Sequence, residues 1–225
     1  MKKATYPNNK FDYQLWSAPR LYKADDIKKE LNRLSLTGRK IKELKFIGLC
    51  YDLHTEDIED YFYNQYENTI TDENTLQKMS DFNNIPDDFE LPRSALIDEL
   101  FLIKFNDGDI FEIDTPMDPE YRFSMNQIPW ETDFDTNQPN IDANILLSSC
   151  LNATIEKVDI ACYMNNAIEE NSVTAVSQII INLDNGLSLT IEPMFDYCKV
   201  QLWHNKETLS TITLGELKKG FINRS

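Results

Sequence analysis

Two Asn/Asp-Gly turns constrain the fold more than any other feature of this sequence. The first occupies residues 106–108 (Asn-Asp-Gly) and the second residues 184–186 (Asp-Asn-Gly). Alternating apolar residues lie on both sides of each turn. A turn that requires positive φ between two such runs is the strongest short-range signal of a β-hairpin. The sequence therefore predicts two hairpins centred on these turns.

The similarity between the two hairpin regions extends in both directions along the chain. A Pro-Met pair at 116–117, followed by an acid and a tyrosine, corresponds to the same order of residues over 193–197. Each hairpin is also preceded by a candidate helix, the first ending before Gly38 and the second capped by Asn140. We therefore predict an α+β fold of two pseudo-repeats, each a helix followed by about four antiparallel strands.

The predicted organisation has three parts. Residues 1–23 form an N-terminal arm or edge strand, 24–130 a first repeat, and 140–225 a second repeat with a short C-terminal helix. Glycine is scarce, with six in the chain, and there is no Gly/Ser-rich or Pro-rich linker, so we expect the parts to pack as one body. The candidate edge strand runs from Phe11 to Trp16. A Thr213-x-x-Glu216 capping box predicts the start of the C-terminal helix.

The repeats differ most between their first strand and their hairpin. The first repeat carries an acidic insert over residues 52–94, where the second has eleven residues. This insert contains 12 acidic residues against two basic ones, and six Tyr or Phe residues. Thr55 is a candidate cap for a helix within it. A connection of this length in a compact domain is usually functional or disordered, and its aromatic content favours an ordered, functional segment.

Charge is distributed unevenly along the whole chain, as it is in the insert. Residues 1–50 have 12 basic residues against five acidic ones, whereas residues 51–150 have four against 24. The middle block cannot neutralise itself by internal pairing and must project a negative field. This field argues against binding to the phosphates of nucleic acids, which requires a basic face. It favours a basic protein as the partner.

We expect the insert to supply the docking surface for this partner. Acidic side chains steer a basic protein toward the site, and desolvated aromatic rings supply affinity. In the competing interpretation, the aromatic residues form a local core and the acids only keep the segment hydrated. The candidate partner-binding residues are Asp57, Glu59, Asp60, Tyr63, Tyr66, Glu67, Asp87 and Asp88.

The sequence contains no catalytic motif that we can assign, including the GxSxG, HExxH, P-loop and GxGxxG patterns. The chain therefore favours a non-enzymatic acidic binding protein that neutralises a basic partner, as immunity proteins and inhibitors do. It resembles bacterial toxin-immunity proteins in size, acidity and lack of catalytic residues, and this resemblance is one of composition. The alternative is a ligand-binding or hydrolytic domain with its site between the two repeats.

No cofactor or metal is predicted, although two patterns offer weak alternatives. The chain has two histidines, and Cys50, His54, Cys198 and His204 could form a zinc site if the fold brought them together. The acids that follow Asn106 look like part of a calcium loop, but the loop pattern lacks its first carboxylate and its final Glu. Buried thiols and a hairpin turn explain these residues more simply.

The compartment is predicted from the cysteines and from hydropathy. The four cysteines are widely spaced, which favours reduced, mostly buried thiols. The sequence shows no secretory signal, and its apolar runs are too short to cross a bilayer. We therefore expect a cytoplasmic protein that does not bind membranes.

Overall fold

The chain folds mostly into antiparallel β-sheets. A computed structural model describes residues 11–48, 50–51, 86–132, 140–165, 173–195, 197–219 and 221–222. Among these residues, 52% lie in strands and 15% in helices. The predicted α+β class is therefore wrong.

Two large sheets contain most of the strands. Sheet 1 has the order β1-β8-β7-β6-β2, and its strands are β1 (Arg20–Leu21), β2 (Ile41–Ile47), β6 (Leu100–Phe105), β7 (Ile110–Met117) and β8 (Glu120–Met125). Sheet 2 has the order β10-β11-β12-β13-β5-β3, with β14 also paired to β13. The strands of sheet 2 are β3 (Cys50–Tyr51), β5 (Ser94–Ile97), β10 (Ile155–Asn165), β11 (Val173–Leu183), β12 (Leu187–Met194), β13 (Tyr197–His204) and β14 (Thr208–Leu209).

The remaining elements are short. Two strand pairs stand apart from the large sheets: β4 (Glu90–Pro92) with β15 (Thr211–Thr213), and β9 (Asn140–Ile141) with β16 (Phe221–Ile222). The α-helices are α1 (Ala24–Leu34), α2 (Ala143–Leu146) and α3 (Leu214–Lys218), and a 3-10 turn covers Ser148–Cys150.

Both predicted hairpins are present. The turn at 106–108 joins β6 to β7, and the turn at 184–186 joins β11 to β12. Gly108 and Gly186 have positive φ values of 90° and 80°, as these turns require. Each turn also makes the same backbone hydrogen bond to the residue just before an earlier strand, β2 for the first turn and β10 for the second. Asn106 N donates to Lys40 O, and Asp184 N donates to Thr154 O, each at 3.0 Å.

The helices explain why the predicted fold class failed. The first predicted helix exists as α1, which buries Ile27, Leu31 and Leu34. The second does not begin at Asn140, which lies in β9. Asp142 caps α2 instead by accepting a hydrogen bond from Asn144 N at 2.8 Å, and this helix has only four residues. A helix of substantial length therefore does not precede each set of strands.

The two chain ends gave one wrong and one correct prediction. Phe11–Trp16 does not form a strand, because Asp12 accepts a hydrogen bond from Gln14 N and folds the segment into a turn. One of the two edge strands of sheet 1 is β1, which pairs with β8. At the other end the predicted capping box is confirmed, since Thr213 Oγ1 accepts from Glu216 N at 3.3 Å where α3 begins.

The main hydrophobic core lies between the inner faces of the two sheets. Side chains at alternate strand positions form it, including Phe101 and Phe111 from sheet 1 and Ile179 and Leu189 from sheet 2. A second, smaller cluster lies on the outer face of sheet 1. There the segment 11–18 packs through Trp16 and its neighbours on the apolar residues of β6 and β7. The N-terminal segment thus covers a sheet face that would otherwise contact water.

Candidate functional site

Most of the predicted docking surface lies outside the described residues. Six of its eight candidate residues belong to this part: Asp57, Glu59, Asp60, Tyr63, Tyr66 and Glu67. The predicted helix after Thr55 also lies outside. Asp87 and Asp88 are described, and both side chains are exposed just before β4.

The two described candidates have different surroundings. Asp87 Oδ1 accepts from Lys218 Nζ at 2.7 Å, and its carbonyl oxygen accepts from Gly215 N at 2.8 Å. Asp87 therefore connects the end of the insert to α3. Asp88 is exposed as well and has no ion pair among the described residues, so it is the more open of the two to a partner.

Strand pairing fixes both ends of the acidic stretch. On one side β3 pairs with β5, matching Cys50 with Ile97. On the other side β4 pairs with β15. The stretch between these strands, residues 52–85, contains nine acidic residues against a single lysine. A strongly negative segment thus lies between two paired strands, β3 of sheet 2 and β4 of the pair with β15.

A buried group of ionisable side chains was not predicted from the sequence. It consists of Tyr13, Glu99, Asp114 and Arg122, and we call it the buried acidic cluster. Asp114 and Arg122 lie opposite each other on β7 and β8, on the face of sheet 1 that the N-terminal segment covers. Arg122 donates to the carbonyl oxygens of Trp16 and Ala18, at 2.8 and 3.1 Å. It therefore holds the N-terminal segment over the carboxyl groups.

The carboxyl groups of this cluster are only partly satisfied. The Tyr13 hydroxyl interacts with both Glu99 and Asp114, but its single proton can be donated to only one of them at a time. Glu99 Oε2 and Asp114 Oδ2 are buried without a hydrogen-bond partner. Burial raises the pKa of Glu99 to about 7 and that of Asp114 to about 7, the latter despite the opposing charge of Arg122. The cluster thus favours protonated carboxyl groups near neutral pH.

Unlike Glu99 and Asp114, the neighbouring acid Glu112 has a hydrogen-bond partner for each of its carboxylate oxygens. Glu112 is completely buried on the same face of β7. Its carboxylate accepts from Ile128 N at 2.6 Å and from the Ser124 hydroxyl. Ser124 in turn accepts from Trp16 Nε1 at 2.6 Å. This network ties the N-terminal segment to sheet 1 through hydrogen bonds.

The position of the buried acidic cluster determines what it can do chemically. Asp114 is 2% exposed and lies beneath the segment 11–18, so a substrate cannot reach it in this conformation. The cluster can hold and release protons, and we therefore expect the attachment of the N-terminal segment to depend on pH. The sequence did contain one signal: Glu112 and Asp114 occupy alternate positions in an otherwise apolar strand, which places both on one face of the sheet.

Gly48 shapes the chain beside this cluster. Its φ is +96°, and an added Cβ would lie 2.1 Å from Asp98 Oδ1 and 2.8 Å from Glu99 Cβ. We expect Gly48→Ala to reduce the free energy of unfolding by about 2 kcal/mol or more, from backbone strain and steric overlap together. Gly38→Ala is the matched control, since Gly38 has φ +83° but open space around its Cβ position.

Urea unfolding of Gly48→Ala and Gly38→Ala separates the effect of steric overlap from that of backbone strain. Gly38→Ala should lose only the backbone strain, about 1 kcal/mol. Equal losses in the two variants would show that contact with Asp98 and Glu99 adds nothing.

Only two of the four residues considered as zinc ligands have described side chains. Cys198 is buried and His204 is exposed, while the side chains of Cys50 and His54 lie outside the described set. Asp107 and Asp109 bind Arg39 at 3.1 and 2.7 Å, respectively. Within the described ranges, no group of three or more His, Cys, Asp or Glu side chains is placed to hold a metal ion.

Comparison with known proteins gives no family for this chain. No protein-family model, curated protein or solved structure matches it. Among the described residues, no helix has the length and apolar character needed to cross a membrane.

Proposed function

We propose that the protein is a non-enzymatic binding protein that captures a basic protein partner through its acidic insert. The observation that carries this proposal is the attachment of residues 52–85 at both ends by strand pairing, through β3 and β4. Nine acids against one lysine give this stretch a strong negative field. The exposed Asp88 extends the same charge to the start of β4.

The character of the scaffold is consistent with this role. Fixing both ends of a binding segment reduces the conformational entropy lost on binding. The described cysteines Cys150, Cys162 and Cys198 are free thiols, which supports a reducing compartment such as the cytoplasm as the place of the encounter.

The experiment compares two variants that lose the same amount of negative charge. The insert variant carries Asp57→Asn, Glu59→Gln, Asp60→Asn and Glu67→Gln. The control variant carries Asp25→Asn, Glu131→Gln, Glu156→Gln and Glu207→Gln, all at exposed positions of the described structure. Each protein is immobilised, and basic proteins are captured from a lysate of the source cells at about 50 mM and about 500 mM salt.

We expect the wild type and the control variant to retain the same basic protein at low salt, and the insert variant to lose it. High salt should release the partner from both binding-competent proteins. Equal capture by the insert and control variants would contradict the proposal, because binding would then not depend on where the negative charge lies.

A further inference from the structure

The cleft between α1 and the outer edge of β10 has the geometry of a second binding site. It has a volume of about 800 Å³ and lies at the opposite edge of sheet 2 from β3. On the helix side it is lined by Lys28, Leu31, Asn32 and Ser35. These positions have the i, i+3, i+4, i+7 spacing of one helix face.

On its other side the cleft is lined by the outer edge of strand β10. Four consecutive residues, 157–160, line it. Side chains of a strand alternate between faces, so four in succession can line one cleft only if the cleft runs along the strand's edge. Among the described residues, no strand pairs with this edge of β10 beyond Thr154. An unpaired strand edge presents backbone groups to which another strand can be added.

The chain itself pairs with the outer edge of β10 at the beginning of the strand, next to this opening. Gly38 N donates to Ile155 O at 2.7 Å, and Ile155 N donates to Arg39 O at 2.9 Å, so the beginning of β10 is paired. Register shifts interrupt β10 at 155–157 and again at 161–162. The regular, unpaired stretch is therefore short, which limits an added strand to a few residues.

The other edge strand of sheet 1, β2, shows how residues of the same chain can cover a strand edge. At β2, Leu44 N donates to the side-chain oxygen of Asn144 at 2.7 Å, and Lys45 Nζ donates to the carbonyl oxygens of Trp130 and Thr132. Within the described residues, nothing equivalent closes the cleft beside 157–160. A strand edge of this kind is a place where a strand of another molecule can be added.

The charge of the cleft indicates the chemistry of that occupant. Two lysines, Lys28 and Lys157, line it together with a single acid, Asp159. Asp159 is already paired with Lys157 at 2.5 Å and with Lys206 at 3.7 Å. In a chain with 38 acidic and 22 basic residues, this cleft is locally cationic. Its apolar lining residues, among them Val158 and Ile160, suit alternate apolar side chains of an extended peptide.

We propose that the cleft between α1 and β10 binds a short, extended, acidic peptide segment of a partner protein, which adds as a strand to residues 157–160. This site is separate from the acidic insert and accepts a ligand of opposite charge. It does not depend on the function proposed for the insert.

The test uses the full chain and a library of random peptides of about ten residues, displayed on phage. Enriched peptides are synthesised, and their affinities are measured for the wild type, Lys28→Glu and Lys29→Glu. Both substitutions reverse an exposed charge on α1, but only Lys28 lines the cleft. Amide hydrogen exchange over residues 157–160 is followed with and without peptide.

We expect enriched peptides with an acidic residue among alternating apolar ones. Their affinity should fall about tenfold in Lys28→Glu and less than about twofold in Lys29→Glu. Bound peptide should also slow exchange of the amides at the β10 edge. Failure to enrich any peptide, or equal effects of the two substitutions, would overturn the proposal. Concentration-dependent protection of the same amides without peptide would also overturn it, in favour of a second copy of this chain.

Discussion

The free energy of unfolding is expected to fall by about 2 to 3 kcal/mol as the pH rises from about 5 to about 8. The cause is the buried acidic cluster, where burial raises the pKa of Asp114 and of Glu99 to about 7 each. In the unfolded chain both acids titrate near their ordinary values of 3.8 and 4.5. Between about pH 4 and about pH 7 the folded chain therefore holds more protons, so raising the pH favours unfolding. Glu99 is partly exposed and contributes less than Asp114.

Acids whose pKa is lowered in the folded chain affect the free energy of unfolding at lower pH. Hydrogen bonds to Arg39 and Asn126 lower the pKa of Asp109, and hydrogen bonds to Thr154 lower that of Asp184. These acids stabilise the fold above their unfolded pKa values, and this stabilisation is lost as the pH falls through their lower folded values. Measurements above pH 5 therefore report mainly on the buried acidic cluster.

Urea unfolding of Asp114→Asn across this pH range checks the assignment. The variant should show a fall of about 1 kcal/mol or less, because an amide does not titrate and Glu99 loses a neighbouring negative charge. Asp88→Asn is the matched control, since it removes an exposed acid and should keep the wild-type slope. An unchanged slope in Asp114→Asn would contradict the role of the cluster.

The largest loss of stability from a single polar side chain is expected at Arg93. This buried arginine lies just before β5 and donates Nε to Thr211 O at 2.8 Å. Its Nη1 donates to the carbonyl oxygens of Ile145 and Leu146 and to Ser148 Oγ. One side chain thus joins three parts of the chain that are distant in sequence. Burial lowers the pKa of Arg93, and the negative charge of Glu216 opposes this effect.

Arg93→Met should lower the free energy of unfolding by about 3 kcal/mol, because it leaves several buried carbonyl oxygens without a donor. The measurement is urea unfolding near neutral pH. Arg20→Met is the control: Arg20 pairs with Glu120 at 3.1 Å but is exposed, so its loss should cost about 0.5 kcal/mol or less. A loss below about 1 kcal/mol at Arg93 would show that water replaces the arginine at these carbonyl groups.

The features that could be predicted from the sequence are local ones. The Asn/Asp-Gly turns, the apolar face of α1 and the capping box at Thr213 each depend on residues a few positions apart, and all three are present. The fold class failed because strands contain most of the described residues and the second predicted helix has only four residues. Asn144 holds this segment against β2 through Leu44 N, and the helix is limited to four residues.

The candidate sites could be predicted only where the pattern lies within one segment. The negative charge of residues 52–85 is visible in the sequence, and so is the alternation of Glu112 and Asp114. The meeting of Tyr13 with Asp114 is not visible, because it depends on how the N-terminal segment crosses sheet 1. The cleft beside β10 likewise requires knowledge of which strand lies at the edge of its sheet.

The proposed function requires that negative charge on the insert steers a basic partner to the protein. Its most direct test is the association rate with the captured partner, measured by stopped-flow over salt concentrations from about 20 to about 500 mM. The rates for the wild type and for the exposed-acid control variant should fall steeply with salt. The insert variant should associate slowly at every salt concentration, with a shallow dependence. If the insert variant instead keeps the wild-type rate and slope, the insert does not steer the partner and the proposed function is wrong.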